Sequence, residues 1–266
     1  MQTLLEIVLT KKYLAGALVA SAVIVLSANA VGEEVAVLMG NFLYIPIAGT
    51  LLGLSVVILG RFGLGGSHGL AWFAFLGYAL SWFMAEMLWL VQELYLKIDP
   101  FPSASDVFYI VGYPFLLMFF VAYLQPVRAA ITAKVVAPAS AFSVGILALT
   151  LYHTIGPESG DIFATVLATI YPIFDSMVII PALVGVVLFF KGKVNFMWTL
   201  FCFGTVSLFV ADTAFLMDQN NNSYYTGNPM EILFYWNYIL MAFGVHNHIS
   251  LFRKNKSPDA SSSLGV

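Results

Sequence analysis

GLAWFAFLGYALSWFMAEMLWLVQELYL, residues 69–96, decides the fold class. A membrane-crossing helix needs about 20 predominantly apolar residues, and this stretch exceeds that length while holding two carboxylates, Glu86 and Glu93. Trp82, Glu86, Trp89 and Glu93 follow one another at helical spacing, so a helix here places both acids and two indoles on one face. An acid at mid-membrane costs about 2.5–3.5 kcal/mol on insertion scales and usually faces a bundle interior or water. The segment therefore reads as one helix of a larger membrane bundle.

The rest of the chain agrees. Of its 266 residues, 61% are hydrophobic and only 9% charged, against about 25% charged in a soluble domain. The fold class is all-α, a polytopic membrane protein. Eight apolar stretches are long enough to span: 13–31, 36–60, 69–96, 107–124, 135–155, 162–190, 196–217 and 232–252. With the N-terminus inside, Lys11, Lys12, Arg61, Arg128, Lys134, Lys191, Lys193, Arg253, Lys254 and Lys256 fall on the inner side and only Lys97 outside. The positive-inside rule then makes both termini cytoplasmic in a plasma-membrane protein. Glu33, Glu34, Asp99, Asp106, Glu158, Asp161, Asp218 and Glu231 fall in the outer loops. The larger outer loop carries an Asn221-Asn222-Ser223 glycosylation pattern. Residues 255–266 read as a short, Ser-rich, disordered cytoplasmic tail.

A shift of 126 residues relates the two halves. It pairs Trp72 with Trp198, Ser81 with Ser207, Phe83 with Phe209, Ala85 with Ala211 and Glu86 with Asp212. Without a gap it also pairs Phe108-Tyr109 with Phe234-Tyr235, and a shift one residue larger pairs Tyr44 with Tyr171. Two parallel four-helix repeats follow, residues 1–128 and 129–254, related by an axis along the membrane normal.

Four carboxylates lie within spans: Glu86, Glu93, Asp175 and Asp212. Glu93 sits at the outer boundary, where it reaches water. On span 7, Phe209, Asp212, Leu216 and Gln219 share a face, and on span 6 Tyr171 and Asp175 are one turn apart. These residues, with Trp89, point to a polar, aromatic-lined cavity open to the outer face. The bland alternative is that the acids bond buried hydroxyls and merely hold the bundle together. Such bonds contribute about 0.6 kcal/mol on average, too little to balance the insertion cost, so a functional use of Asp175 is favoured.

Other chemistries are excluded. His246 and His248, two residues apart on a helix, do not share a face, and no metal site converges. Every lysine lies in a loop or at a terminus, so no retinal Schiff base can form in mid-membrane. No nucleophile elbow, phosphate loop or haem-attachment motif is present, and no cofactor or enzyme activity is implied. The net charge of −3 and the lack of a basic stripe exclude nucleic acid as a partner. The lone Cys202 allows no internal disulfide. Gly49-x-x-x-Gly53 and the small residues of AGALVASA read as close helix packing.

Between spans 3 and 4 lies PFPSASDVFYIVGYP, residues 100–114. Ser103 or Asp106 can cap the entering helix, and Pro114 predicts a kink near Gly112. The same loop is placed to cover the outer acids. Pro102-Ser103-x-x-Asp106-x-x-Tyr109-x-x-Gly112-Tyr113-Pro114 resembles a segment of the repeated membrane region found ahead of bacterial GGDEF, EAL and histidine-kinase domains. Ala85-Glu86 with Trp89, Tyr171-Pro172-x-x-Asp175 and Ala211-Asp212 fit the same pattern, so the resemblance covers most of spans 3 to 8 at loose motif level. It implies a sensory input region with Asp106 and Tyr109 beside the membrane acids. No such output domain is in this sequence, so the resemblance implies a separate signalling partner. The competing expectations are a small cation- or proton-coupled secondary transporter and an accessory subunit of a larger membrane complex.

Overall fold

The computed structural model describes residues 4–154 and 162–252. The tail at 255–266, the end of the second half at 253–254, and Glu158 and Asp161 of the fifth connection lie outside the described residues. The described chain is all-α, in eight long helices: α1 Leu4–Val31, α2 Glu33–Phe62, α3 Gly66–Leu90, α4 Ala104–Leu124, α5 Ala133–Thr154, α6 Ile162–Leu188, α7 Asn195–Asn220 and α8 Ile232–Leu251. Seven of them, α1 to α7, are long and apolar enough to cross a membrane. The eighth is a helix of 20 residues whose Asn237, His246, Asn247 and His248 lower its hydropathy below that of the others.

Helix ends follow local chemistry. Gly63 ends α2 in the left-handed region, φ 66°, and its N–H reaches back to Leu59 O. Ser103 caps α4 through a full capping box, accepting from Ser105 N–H while the Asp106 carboxylate accepts from Ser103 N–H at 2.7 Å. Both capping candidates of that loop therefore act together. Past Leu90, α3 continues as a π-helical turn, Val91–Leu96.

Six helices close a ring in which each packs on the next: α2, α3, α4, α6, α7, α8 and back to α2. Outside it, α1 lies against α2 and α8, and α5 against α6 and α7. The ring is filled at its basic end, near Arg61, by an aromatic core. Trp72, Phe119, Trp198 and Phe201 are fully buried there, with Tyr123 between the two indoles. At this end Arg61 Nη1 donates to Ile249 O at 3.2 Å, and Tyr123 Oη lies 2.9 Å from His248 Nε2.

Close approach falls on glycines other than those expected. A Cβ at Gly53 or Gly16 would meet nothing within 4 Å, so neither glycine itself marks a tight contact, although the AGALVASA stretch does meet α8, where Trp236 Nε1 donates to Leu18 O at 3.1 Å. A Cβ at Gly112 would lie 2.2 Å from Trp82 Nε1, and one at Gly185 2.1 Å from the Trp198 ring. Gly112 thus serves close approach: it lets the Trp82 indole come against α4 and donate to Tyr109 O at 3.1 Å. The α4 helix runs unbroken through Gly112 and Pro114.

These contacts set opposite signs for one substitution. Ala gains about 1 kcal/mol over Gly in a helix interior, whereas overpacking a filled site costs about 1–3 kcal/mol. Gly112→Ala should lower the thermal midpoint of the detergent-solubilised protein, and Gly53→Ala should leave or raise it. Fluorescence-detected size-exclusion after a heating series checks both. Equal midpoints for the two variants would show that Trp82 yields without cost.

Candidate functional site

At the end of the ring opposite the aromatic core, the six ring helices leave a central cavity of about 530 Å³, its mouth included. Each ring helix contributes to its wall. Tyr44 comes from α2, and Trp82, Glu86 and Trp89 from α3. Asp106 and Tyr109 come from α4 and Tyr171 from α6. Asp212 and Phe215 come from α7, and Phe234 from α8. Tyr224 and Glu231, from the connection between α7 and α8, close the wall.

The carboxylates are held by phenols. Tyr171 Oη donates to Asp106 Oδ1 at 2.7 Å, and Tyr238 Oη to Glu86 Oε1 at 2.6 Å. Tyr113 Oη stands between two acids, 2.8 Å from Asp175 Oδ1 and 2.6 Å from Asp212 Oδ2. Glu231 is bonded by the Tyr224 hydroxyl, by Gly227 N–H at 2.9 Å, and more weakly by Tyr235 Oη at 3.3 Å and Tyr44 Oη at 3.5 Å. Neutral hydroxyls satisfy these oxygens without neutralising them.

The connection over the cavity is pinned as firmly. Gly227, at φ 81°, lies against Gly40 so closely that a Cβ on Gly40 would be 2.7 Å from Gly227 Cα. Asn29 Nδ2 donates to Gly227 O at 2.7 Å, and Trp89 Nε1 to Thr226 Oγ1 at 3.0 Å. The connection between α3 and α4 contributes Phe101, packed edge-on to Phe215 with ring centres 5.0 Å apart. Both polar connections therefore cover the site, and the one before α8 lends it two wall residues.

Of the seven residues expected from sequence, Glu86, Trp89, Asp106, Tyr109, Tyr171 and Asp212 line the one cavity. Asp175 does not. It lies behind the wall, 1% exposed, bonded to Tyr113, with its Oδ2 unpartnered. Glu93 also leaves the expected face of α3. The π-helical turn fits extra residues into one revolution, so Glu93 rotates away from Glu86 and Trp89 to accept from Asn41 Nδ2 at 2.7 Å. Glu93 and Gln219 line a separate surface recess with Glu33, Lys97, Asp99 and Tyr224.

Glu231, Tyr224 and Tyr44 belong to the site, with Tyr113 and Tyr238 behind it, and sequence reasoning overlooked all five. The missing signal was a one-residue gap. At a shift of 125, Asp106 meets Glu231, Tyr113 meets Tyr238 and the capping Ser103 meets Asn228, whose side chain caps the next turn by accepting from Met230 N–H. The ungapped shift of 126 hides all three pairs.

Among the described residues no group of three or more His, Cys, Asp or Glu converges to hold a metal ion. Comparison of the chain with protein-family models, with curated proteins and with solved structures finds no match.

Glu231 precedes α8 and is 2% exposed. Burial pushes its carboxyl up from 4.5 to about 7, against the pull of the Tyr224, Gly227 and Tyr235 bonds. An acid with a raised folded-state value binds more protons folded than unfolded between those limits. Its contribution to stability is complete below about 4.5 and falls as pH rises to about 7. The difference in unfolding free energy between wild type and Glu231→Gln should therefore change across that window by up to about 3 kcal/mol and be level on either side. Thermal melts from pH 4 to pH 8.5 measure it. A pH-independent difference would mean that the Glu231 carboxyl titrates alike in both states.

Proposed function

We propose that the chain is a plasma-membrane ligand-binding protein of sensory type, taking a small molecule into its outward-facing cavity and signalling through a separate partner protein. In this reading all eight helices span, both termini are cytoplasmic and the helices form two parallel four-helix repeats. One observation carries it: the cavity receives a side chain from each of the six ring helices, so an occupant touches both halves at once. Binding energy can then bias how the halves sit against each other, which is what a sensor must transmit.

The packing supports the repeat. Replacing each helix by the one four places away turns α2–α3–α4 into α6–α7–α8, and turns the α4–α6 junction into the α8–α2 junction, both of which exist. The bonds exchange likewise. Tyr171 to Asp106 across α6 and α4 matches Tyr44 to Glu231 across α2 and the start of α8. Tyr113 to Asp212 matches Tyr238 to Glu86. Trp72 and Trp198, both fully buried with unpartnered indole N–H groups, flank Tyr123 at the other end. The side on which Lys11, Lys12, Arg61, Arg128, Lys134, Lys191 and Lys193 fall supports the orientation. The motif resemblance to membrane input regions of signalling proteins supports the sensory type, and the acids and phenols that carry it lie in or directly behind the cavity wall.

A second reading, proton-coupled transport, is favoured by the bridge at Tyr113. One hydroxyl has one proton, so it cannot donate to Asp175 and Asp212 together. Both short contacts hold when one of the two carboxyls carries a proton. A buried acid pair sharing a proton is a usable coupling element.

Native mass spectrometry of the protein drawn from its host membrane in mild detergent tests the proposal. Wild type should retain a small molecule of defined mass, and Glu86→Gln and Trp89→Leu should lose it. Asp175→Asn should retain it if the protein senses, and should lose coupled uptake in proteoliposomes if it transports. An empty wild-type cavity alongside a stoichiometric protein companion would overturn ligand binding and make the chain an accessory subunit.

A further inference from the structure

The wall of the cavity is one-sided in its hydrogen-bonding chemistry. Most of its donors are already committed. Tyr171 donates to Asp106, Tyr224 and Tyr44 to Glu231, Trp82 to Tyr109 O and Trp89 to Thr226 Oγ1. The Tyr109 hydroxyl has no hydrogen bond described within 3.5 Å and sits near the Glu86 carboxylate. The remaining wall side chains, Phe215 and Phe234, have no donor. What faces the space is carboxylate oxygen and aromatic surface, and no lysine, arginine or histidine lines it.

That combination selects by charge. Four carboxylates, Glu86, Asp106, Asp212 and Glu231, border the space, none of the bonds described for them comes from a cationic side chain, and each is at most 7% exposed. An anion entering would meet the ionised carboxyls as like charge, and a pure acceptor would find a carboxyl donor only where one of them, such as Glu231 at about 7, holds its proton. A neutral apolar ligand would strip water from the carboxylates and return nothing. A cation is attracted both by the acids and by the faces of the rings, an attraction that strengthens in a desolvated site. The carboxylates are distributed around the wall on α3, α4, α7 and the turn before α8 rather than gathered at one point, and the described residues hold no metal-type cluster. A small inorganic ion would reach too few oxygens at once, whereas an ammonium group on an organic body can set its N–H or N–CH₃ faces against acids and rings together. Tyr224 also lines the neighbouring recess bearing Glu33, Glu93 and Asp99, which sets charge of the same sign beside the cavity, with Lys97 the one cation in that recess.

We infer that the ligand of the central cavity is an organic ammonium ion. This rests on the reading of the cavity as a ligand site and adds the chemical class of its occupant.

Thermal unfolding of the detergent-solubilised full chain tests the class, with choline, tyramine and spermidine as probes at matched ionic strength. The neutral controls are 3,3-dimethylbutan-1-ol, the carbon isostere of choline, and 4-ethylphenol, which is tyramine without its amine; 4-hydroxyphenylacetate supplies the anionic control. At least one ammonium probe should raise the midpoint in a saturable, dose-dependent way, while its neutral counterpart and the anion do not. Glu86→Gln, which keeps an acceptor for Tyr238, should weaken that probe about tenfold or more, in line with removing one close charge from a desolvated pair. Phe215→Leu, which leaves every carboxylate bond intact, should weaken it several-fold through the lost ring face. If Glu86→Gln fails to fold, Phe215→Leu alone carries the comparison. Equal saturable stabilisation by ammonium probe and neutral isostere would overturn the cationic class and leave the cavity a ligand site. Absence of any ammonium-specific shift, while native mass spectrometry retains a molecule without basic nitrogen, would do the same. No shift with the probes and no retained molecule would remove both readings together.

Discussion

The bond between a tyrosine hydroxyl and a buried carboxylate is the interaction on which the rest of the bundle depends. An acid within an apolar bundle must find partners or lose its charge. Here the partners are phenols on other helices, so each acid becomes a join. Asp106 ties α4 to α6, Glu231 ties the start of α8 to α2, Glu86 ties α3 to α8, and Tyr113 ties α4 to α6 and α7 at once. The α4–α6 and α8–α2 junctions, where the ring would otherwise open, are two of those joined. Ring closure and cavity wall are thus made from the same atoms.

The phenol is a consequential choice of partner. A lysine or arginine would pair more strongly but would cancel the charge and fill the space with a flexible chain. A phenol donates one bond, lays a flat ring along the wall and leaves the carboxylate charge uncancelled. Bonds of this kind in membranes average about 0.6 kcal/mol, against an insertion cost of about 2.5–3.5 kcal/mol per acid. Glu231, with the Tyr224, Gly227 and Tyr44 donors around it while Tyr235 gives its proton at shorter range to Gly40 O, comes nearest to balance, and even there burial holds its carboxyl at about 7. The wall is left electrostatically unsatisfied.

Much of this was legible in the sequence, for identifiable reasons. Apolar length and the acids inside it announce a helical membrane bundle, and helical spacing puts Trp82, Glu86 and Trp89 together on one wall. The segment 100–114 declares its cap, because a capping box is a local code. What was illegible depends on departures from regular geometry. A π-helical turn removes Glu93 from the face that ideal spacing gives it. Glu231 sits in a connection, where helical spacing assigns no face, so an apparent loop acid is in fact buried wall. Gly49-x-x-x-Gly53 looks like a packing motif but faces open space at Gly53, whereas Gly112, inside a supposed kink, is where two helices meet through an indole. Spacing tells which residues share a face, and only tertiary packing tells what that face meets.

The position of Asp175 adds a final step. It sits outside the cavity yet one phenol away from it, and Tyr113 touches both Asp175 and the wall acid Asp212. Whatever alters the charge at Asp212 alters which of the two carboxyls holds the shared proton and to which acid the Tyr113 hydroxyl donates. That exchange re-weights the α4–α7 bond against the α4–α6 bond, and α4–α6 is one of the junctions that close the ring. In the sensory reading proposed above, Tyr113 is the hydroxyl through which an occupant beside Asp212 would bear on the α4–α6 join without a side chain leaving its place.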